Sequence, residues 1–147
     1  MRKTISFQTK FGWMSAFEEK GKITELKFLK TKNVGKSLIL NKLKKKINDY
    51  CSKKLKTFNI PLLIEGSVLQ KNIWKELKKI PYGKTKSYGE IAKIVKTSPR
   101  YVGNVCGQNK HLLLVPCHRV IRTDGTLGGF SSTGGLGLKK RLINLEQ

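Results

Sequence analysis

Residues 87–108 read Ser87-Tyr88-Gly89-Glu90-Ile91-Ala92-Lys93-Ile94-Val95-Lys96-Thr97-Ser98-Pro99-Arg100-Tyr101-Val102-Gly103-Asn104-Val105-Cys106-Gly107-Gln108, and this stretch contains two helix starts in close succession. Ser87 followed three residues later by Glu90 is a capping box: the hydroxyl accepts from the Glu90 amide and the carboxylate returns a bond to the Ser87 amide. The first helix is predicted to run to about Val95. Ser98 then supplies a second N-cap, and Pro99 fits the first helical position, where its missing N–H costs nothing. That helix is predicted to reach about Gln108. Two short helices joined by a tight turn make a helix-turn-helix. Such pairs occur in many helical domains, so other features must say what this one touches.

Charge is the first of these. Lysine and arginine total 31 against 9 acids, a net charge of +22. A field of that size draws in polyanions, and nucleic acid is the usual one because phosphate contacts release counterions. A lysine-biased composition of solvated faces is the competing explanation, and both can hold together. An acidic membrane surface is a weaker option, since no amphipathic aromatic face accompanies the charge. The chain has no run of 18 apolar residues, and MRKTISFQTK at the start is not followed by an apolar signal core. A cytoplasmic monomer with no membrane partner is therefore expected. The cysteines are Cys51, Cys106 and Cys117. An odd number without C-x-x-C argues against a disulfide framework, and His111 and His118 do not complete a zinc spacing, so no metal is expected.

Outward from the central stretch, Thr4–Lys10, Trp13–Phe17 and Ile23–Leu29 read as strands, separated by turns at Phe11-Gly12 and Lys20-Gly21-Lys22. Residues 36–56 read as a helix with Ile39, Leu43, Ile47, Tyr50 and Cys51 on one face. Cys51 there is packing. Phe58–Ile64, with Pro61, is an extended link between two halves. Val68–Ile80 is predicted helical, with Val68, Ile73, Trp74 and Leu77 facing inward and Pro81-Tyr82-Gly83 ending it. After the helix pair come an apolar run, Leu112–Val115, a glycine-rich loop from Asp124 to Gly135, and a closing helix, Leu136–Glu146. The expected fold class is α/β followed by α: a small N-terminal sheet-and-helix domain over residues 1–62, then a helical C-terminal domain with helix-turn-helix over residues 63–147.

The candidate chemistry lies at Cys117-His118-Arg119. The thiolate, not the thiol, is nucleophilic, and a neighbouring histidine can take the proton directly or through one water. A carboxylate is then needed to orient the imidazole. After residue 70 the acids are Glu76, Glu90, Asp124 and Glu146. Glu90 is used in its cap, which leaves Glu146 on the last helix as a candidate. Cys-His by itself is more often a coincidence in a buried turn than a catalytic pair.

Val115-Pro116-Cys117-His118-Arg119-Val120-Ile121 resembles the active-site motif of the O6-alkylguanine-DNA alkyltransferases, the methylated-DNA–protein-cysteine methyltransferases. Three further segments resemble that family: Ile80 through Ala92 ahead of and into the helix pair, Pro99 through Gly103 at the second helix, and Gly134-Gly135-Leu136 with Lys139 through Glu146 at the end. The resemblance covers roughly residues 65–146. The first 60 residues are compatible with the family's N-terminal α/β domain, which is ribonuclease H-like.

The resemblance implies direct-reversal DNA repair. One alkyl group, such as methyl, passes from O6-alkylguanine in double-stranded DNA to the protein in a single-turnover reaction. It implies no cofactor, since the damaged DNA is the alkyl donor. O4-alkylthymine is a second candidate lesion. Cys117 would accept the alkyl group, His118 would be the base, Glu146 would orient it, and Asn109 would brace the turn. Tyr88 would donate a proton to the leaving guanine and help rotate the nucleotide out. Arg100 would fill the gap in the duplex, and Ser98 and Gly103 would lie against the DNA. Val120 would read the guanine amine through its carbonyl, Ser131 would close the pocket, and Arg119 would tie the active-site turn to neighbouring backbone. The chain departs from the family pattern at Lys110-His111-Leu112, where prolines are frequent, which leaves His111 to meet phosphate. Glu146 stands next to Gln147, where fraying would loosen it. The alternatives are a lesion-flagging protein without transfer, disfavoured because such proteins typically lack the motif cysteine; a regulator sensing alkylation, disfavoured by the missing metal domain; and a cysteine hydrolase, for which no nucleophile-elbow or papain-type motif is present.

Overall fold

The computed structural model describes residues 2–129 and 134–147, and in it the chain forms two units, one ending at Ile64 and one comprising Glu65–Gln147. In the first unit, β1 (Lys3–Thr9), β2 (Gly12–Glu19) and β3 (Lys22–Lys27) form an antiparallel meander in the order β1-β2-β3. Lys20 and Gly21 both take positive φ, 49° and 80°, the two-residue turn whose twist suits a hairpin. Both outer strands gain a partner. Thr4 exchanges two 2.9 Å backbone bonds with Val34, and Ile23 bonds Pro61 and Leu63 on its other side. The Phe58–Ile64 segment thus covers a sheet edge as well as linking, which leaves fewer unpaired backbone groups to recruit another chain.

Helix α1 (Leu38–Cys51) is capped by Ser37, whose hydroxyl accepts from the Leu40 amide. It buries Leu40, Leu43, Ile47, Tyr50 and Cys51 in a core shared with Phe7, Met14, Ile23 and Leu26. The helix is shorter than the predicted 36–56. Lys53 turns left-handed at φ 63°, and the Lys54 amide folds back to the Asp49 carbonyl at 2.8 Å. The lysines beyond carry no apolar stripe that would keep the helix going.

The second unit contains α2 (Val68–Lys78), the short β4 (Lys86–Ser87), α3 (Tyr88–Val95), α4 (Pro99–Gly107), a 3₁₀ turn at Cys117–Arg119, β5 (Val120–Ile121) and α5 (Gly135–Leu145). Both caps read from the sequence are formed: Ser87 and Glu90 make the reciprocal box, and Ser98 accepts from the Tyr101 amide at 3.1 Å. α2 has a capping box of its own at Ser67 and Gln70. Two expectations for α2 fail. It ends at Lys78 rather than Ile80, and Val68 is 77% exposed instead of facing inward. As the first helical residue it projects ahead of the stripe formed by Ile73, Trp74 and Leu77. β4 and β5 pair in parallel, Lys86 with Val120 and Ser87 with Ile121. This pairing sets the start of α3, and Tyr88 with it, beside the cysteine turn.

Candidate active site

Cys117 sits at the base of a cavity of about 690 Å³ whose lining includes Tyr88, Pro99, Arg100, Gly103, Cys106, Arg122, Gly128 and Gly129. Its turn is held by backbone and by Asn109. Cys117 N donates to the Val115 carbonyl at 2.8 Å, and Asn109 Nδ2 donates to the same carbonyl at 2.8 Å. The other end of the amide, Asn109 Oδ1, accepts from the His111 amide at 2.9 Å. His111 is 4% exposed, so the expectation that it meets phosphate is wrong. Its segment folds inward through this bond and through Val115 N, which donates to the His111 carbonyl at 2.9 Å.

Burial pushes the Cys117 thiol up, opposed by its hydrogen bond with Asn109 and by the Lys139 charge. The resting group is therefore a thiol that needs a base. His118, 1% exposed, is held below its ordinary value by desolvation, with Glu146 pulling the other way. It is a neutral imidazole at neutral pH. Its Nε2 lies 2.7 Å from Glu146 Oε2. A carboxylate can only accept, so Nε2 carries the proton and Nδ1 presents its lone pair. Among the described residues Nδ1 is the one buried side-chain polar atom without a hydrogen-bond partner. The atom able to take a proton is free, on the residue next to the thiol.

Glu146 accepts from His118, from Arg119 and, at 3.5 Å, from the Gly83 amide. Arg119 Nε donates to Oε1 at 2.8 Å and Nη2 to Oε2 at 3.0 Å, while Nη1 donates to the Ile80 carbonyl at 2.8 Å. Arg119 does tie the turn to backbone, as expected, but most of its fork neutralises the carboxylate. Glu146 itself is 4% exposed and does not fray. Gly83, at φ 80°, passes so close that a Cβ would lie 2.9 Å from the Glu146 carbonyl oxygen, so the turn after α2 also presses on the end of α5.

A second buried cation was missed by sequence reasoning. Lys139 on α5 is fully buried. Its Nζ donates to Tyr88 Oη at 3.2 Å, to the Gly129 carbonyl at 3.2 Å and to the Leu127 carbonyl. Three acceptors match the three protons of an ammonium group. Desolvation still lowers its pKa to about 8, partly offset by Cys117 and Cys106. In the sequence it is one lysine among many, and only its place in a stripe with Leu138 and Leu142 could have marked it. Tyr88 is pushed up to about 12, first by burial and then by the two cysteines. Gly128, at φ 72°, approaches the Tyr88 ring so closely that a Cβ would lie 2.9 Å from it.

The remaining predicted residues fall around this centre. Arg100 and Gly103 line the cavity from α4, with Arg100 exposed on the first turn. Ser98 is exposed, and its hydroxyl is occupied as the cap. Val120 is buried directly after the 3₁₀ turn. Ser131 lies outside the described residues.

Fold and site together define a helix-turn-helix domain in which a thiol lining an open cavity is followed in the chain by a neutral imidazole held by a buried carboxylate. The chain belongs to the 6-O-methylguanine DNA methyltransferase family, whose DNA-binding domain matches residues 68–147. It is 45% identical over 100 residues to the methylated-DNA–protein-cysteine methyltransferase of Methanosarcina mazei, covering 67% of this chain and 62% of that protein. It is 36% identical over 146 residues to the protein of the same name from Metallosphaera sedula, covering 96% and 90%. The match thus spans less than two thirds of the Methanosarcina relative but nearly all of the Metallosphaera one. In structure it is similar to the O6-methylguanine methyltransferase of Mycobacterium tuberculosis, with a TM-score of 0.87, 30% identity and coverage of 99% and 93%. A second M. tuberculosis structure, in complex with DNA, gives a TM-score of 0.86 at 30% identity, covering 97% and 92%. No helix among the described residues is long and apolar enough to cross a membrane.

Proposed function

We propose that this chain repairs DNA by direct reversal, moving an alkyl group from O6-alkylguanine onto Cys117 once and permanently. The observation that carries the reading is the free, buried Nδ1 of His118 next to a thiol that opens on a cavity. The Cys117 proton passes to His118 Nδ1, directly or through one water. The sulfur attacks the alkyl carbon, a C–S bond forms, and the bond from that carbon to O6 breaks with its electron pair going to the guanine. Tyr88 protonates the departing base, and the Lys139 ammonium stabilises the phenolate left behind. The imidazolium, balanced by Glu146, returns its proton through solvent. The product is a thioether, a poor leaving group, so one molecule repairs one lesion without a cofactor.

The partner in this reading is double-stranded DNA, engaged by a chain of net charge +22. O6 lies inside the stack, so the nucleotide must be flipped at a cost of a few kcal/mol. In this reading Arg100 fills the gap, with Ser98 and Gly103 lying against the DNA, and its exposure on the first turn of α4 supports that role. We assign this work to residues 63–147 and read the first unit as the family's ribonuclease H-like domain. A monomer acting in the cytoplasm, or wherever the cell keeps its DNA, follows from the same reading.

The test is intact and peptide mass spectrometry after mixing the reduced protein with a duplex carrying one O6-methylguanine. One added methylene, confined to the Cys117 peptide and limited to one per protein, is expected, and Cys117→Ala should gain none. Tight binding without a mass change would replace transfer with lesion flagging. The upward push on the Cys117 thiol is the one observation that favours that second reading.

A further inference from the structure

Cys106 is a thiol for which the transfer reaction has no use. It lies in the last turn of α4, is 7% exposed, and lines the same cavity as Cys117. One residue, Asn109, connects the two. Its backbone N–H donates to the Cys106 carbonyl at 3.2 Å, its Nδ2 reaches the Val115 oxygen that also receives Cys117 N, and its side chain hydrogen-bonds the Cys117 thiol. Charge on Cys117 in turn raises Cys106. Both sulfurs act on Lys139 and on Tyr88. Two thiols therefore line one open cavity, and the third, Cys51, is buried in the other unit.

We propose that Cys106 is the resolving thiol for an oxidised Cys117, so that a hydroperoxide closes a reversible Cys106–Cys117 disulfide in the cavity. The first step breaks the O–O bond of the peroxide. The Cys117 sulfur takes one oxygen to become a sulfenic acid, and the second oxygen leaves as water or an alcohol. In the second step the Cys106 sulfur displaces that hydroxyl, a second water leaves, and the S–S bond forms. Each sulfur has then given up one electron, and the peroxide has accepted two. Burial, followed by the charge of Cys117, pushes Cys106 up to about 12, so it is not the thiol that meets the peroxide first, and its proton leaves with the displaced hydroxyl as water. The disulfide blocks alkyl acceptance and is reversed by exchange with an external thiol. Without it, Cys117 can proceed to sulfinic acid, which thiols do not reduce. The inference rests on the reading of Cys117 as the nucleophile.

The experiment treats reduced protein with hydrogen peroxide in the absence of DNA, caps the remaining thiols with iodoacetamide, and maps the peptides. A Cys106–Cys117 linked pair, a loss of two hydrogens and a capped Cys51 are expected, with dithiothreitol restoring full methyl uptake. Cys106→Ala should instead gain two oxygens on Cys117 and recover nothing with dithiothreitol, relative to the methyl uptake of the same variant before oxidation. A native protein that ends as Cys117 sulfinate with Cys106 capped, or that links Cys117 to Cys51, overturns the proposal. Failure of the reduced native protein to take up methyl would sink the transfer reading instead, and the peptide map reads the disulfide separately.

Discussion

The two units bury their polar groups in different ways. In the first unit the interior groups are hydroxyls and one carboxylate answered by neutral donors. Ser15 bonds the Leu29 carbonyl, Thr31 donates to Ser15, and Glu18 takes the Ser37 hydroxyl at 2.7 Å and, more weakly, the Gly21 amide. These bonds position loops. In the second unit the interior contains charge: Arg119 against Glu146, and Lys139 against carbonyls and a phenol. Burying charge is expensive even when it is paired, and the second unit places that charge around a thiol and a base. Three perturbed groups of this unit, Tyr88, Cys106 and Cys117, line one cavity, and perturbed groups in a cleft mark a candidate functional site.

Glu146→Gln should break this contrast most sharply. It leaves Arg119 buried without its counter-charge, a loss of about 3–5 kcal/mol for a broken buried pair, read by urea denaturation. Glu18→Gln in the first unit keeps neutral hydrogen bonding and should cost about 1 kcal/mol. Equal losses would show that the two interiors do not differ in kind.

Next in size is Lys139. Its pKa of about 8 places the change of charge at accessible pH. Below about 8 the ammonium holds Tyr88 and the carbonyls of Leu127 and Gly129, and above it one of the three bonds is lost. The transfer rate, followed by quenched flow from pH 6 to 10, should show a downward component near pH 8. Lys139→Met should lack that component and run about tenfold or more slower at neutral pH, the scale of a lost proton-transfer partner. Stability should move the opposite way. A lysine whose folded pKa lies below its unfolded one makes the fold gain stability as pH rises from about 8 toward the ordinary lysine value, because only the unfolded chain still binds the proton there.

A smaller effect is expected at Gly83→Ala. Its positive φ and the 2.9 Å contact that an added Cβ would make with the Glu146 carbonyl oxygen should cost about 1–3 kcal/mol, seen as a lower melting temperature. Smallest of all is Val68→Ala, within about 0.5 kcal/mol because the side chain is 77% exposed. Ile73→Ala, on the buried stripe of the same helix, should cost about 2–5 kcal/mol.

Local chemistry was legible where the chain satisfies itself over three or four residues. The capping box at Ser87 and the N-cap at Ser98 gave both helices of the pair, because a cap involves only near neighbours. The three strands followed from the turn glycines that separate them. Legibility also ended where no cap, turn residue or periodicity announces the local geometry. The end of α1 depended on a left-handed turn at Lys53. The inward course of His111 depended on Asn109. Val68 matched the pattern of an inward residue but stands before the packed turns of its helix.

From the sequence by itself, the fold class, the helix pair and the adjacent candidates Cys117 and His118 were legible in local spacing or in neighbouring residues, whereas Glu146 was one candidate among the few acids after residue 70. The tertiary structure decided which nitrogen of His118 is free, how Arg119 divides between Glu146 and Ile80, and which lysine is buried. Lys139 meets Tyr88 across 51 residues of chain and His118 meets Glu146 across 28. Proton affinity at such meetings is set by burial and by the charges brought close, and neither is written in the order of residues along the chain.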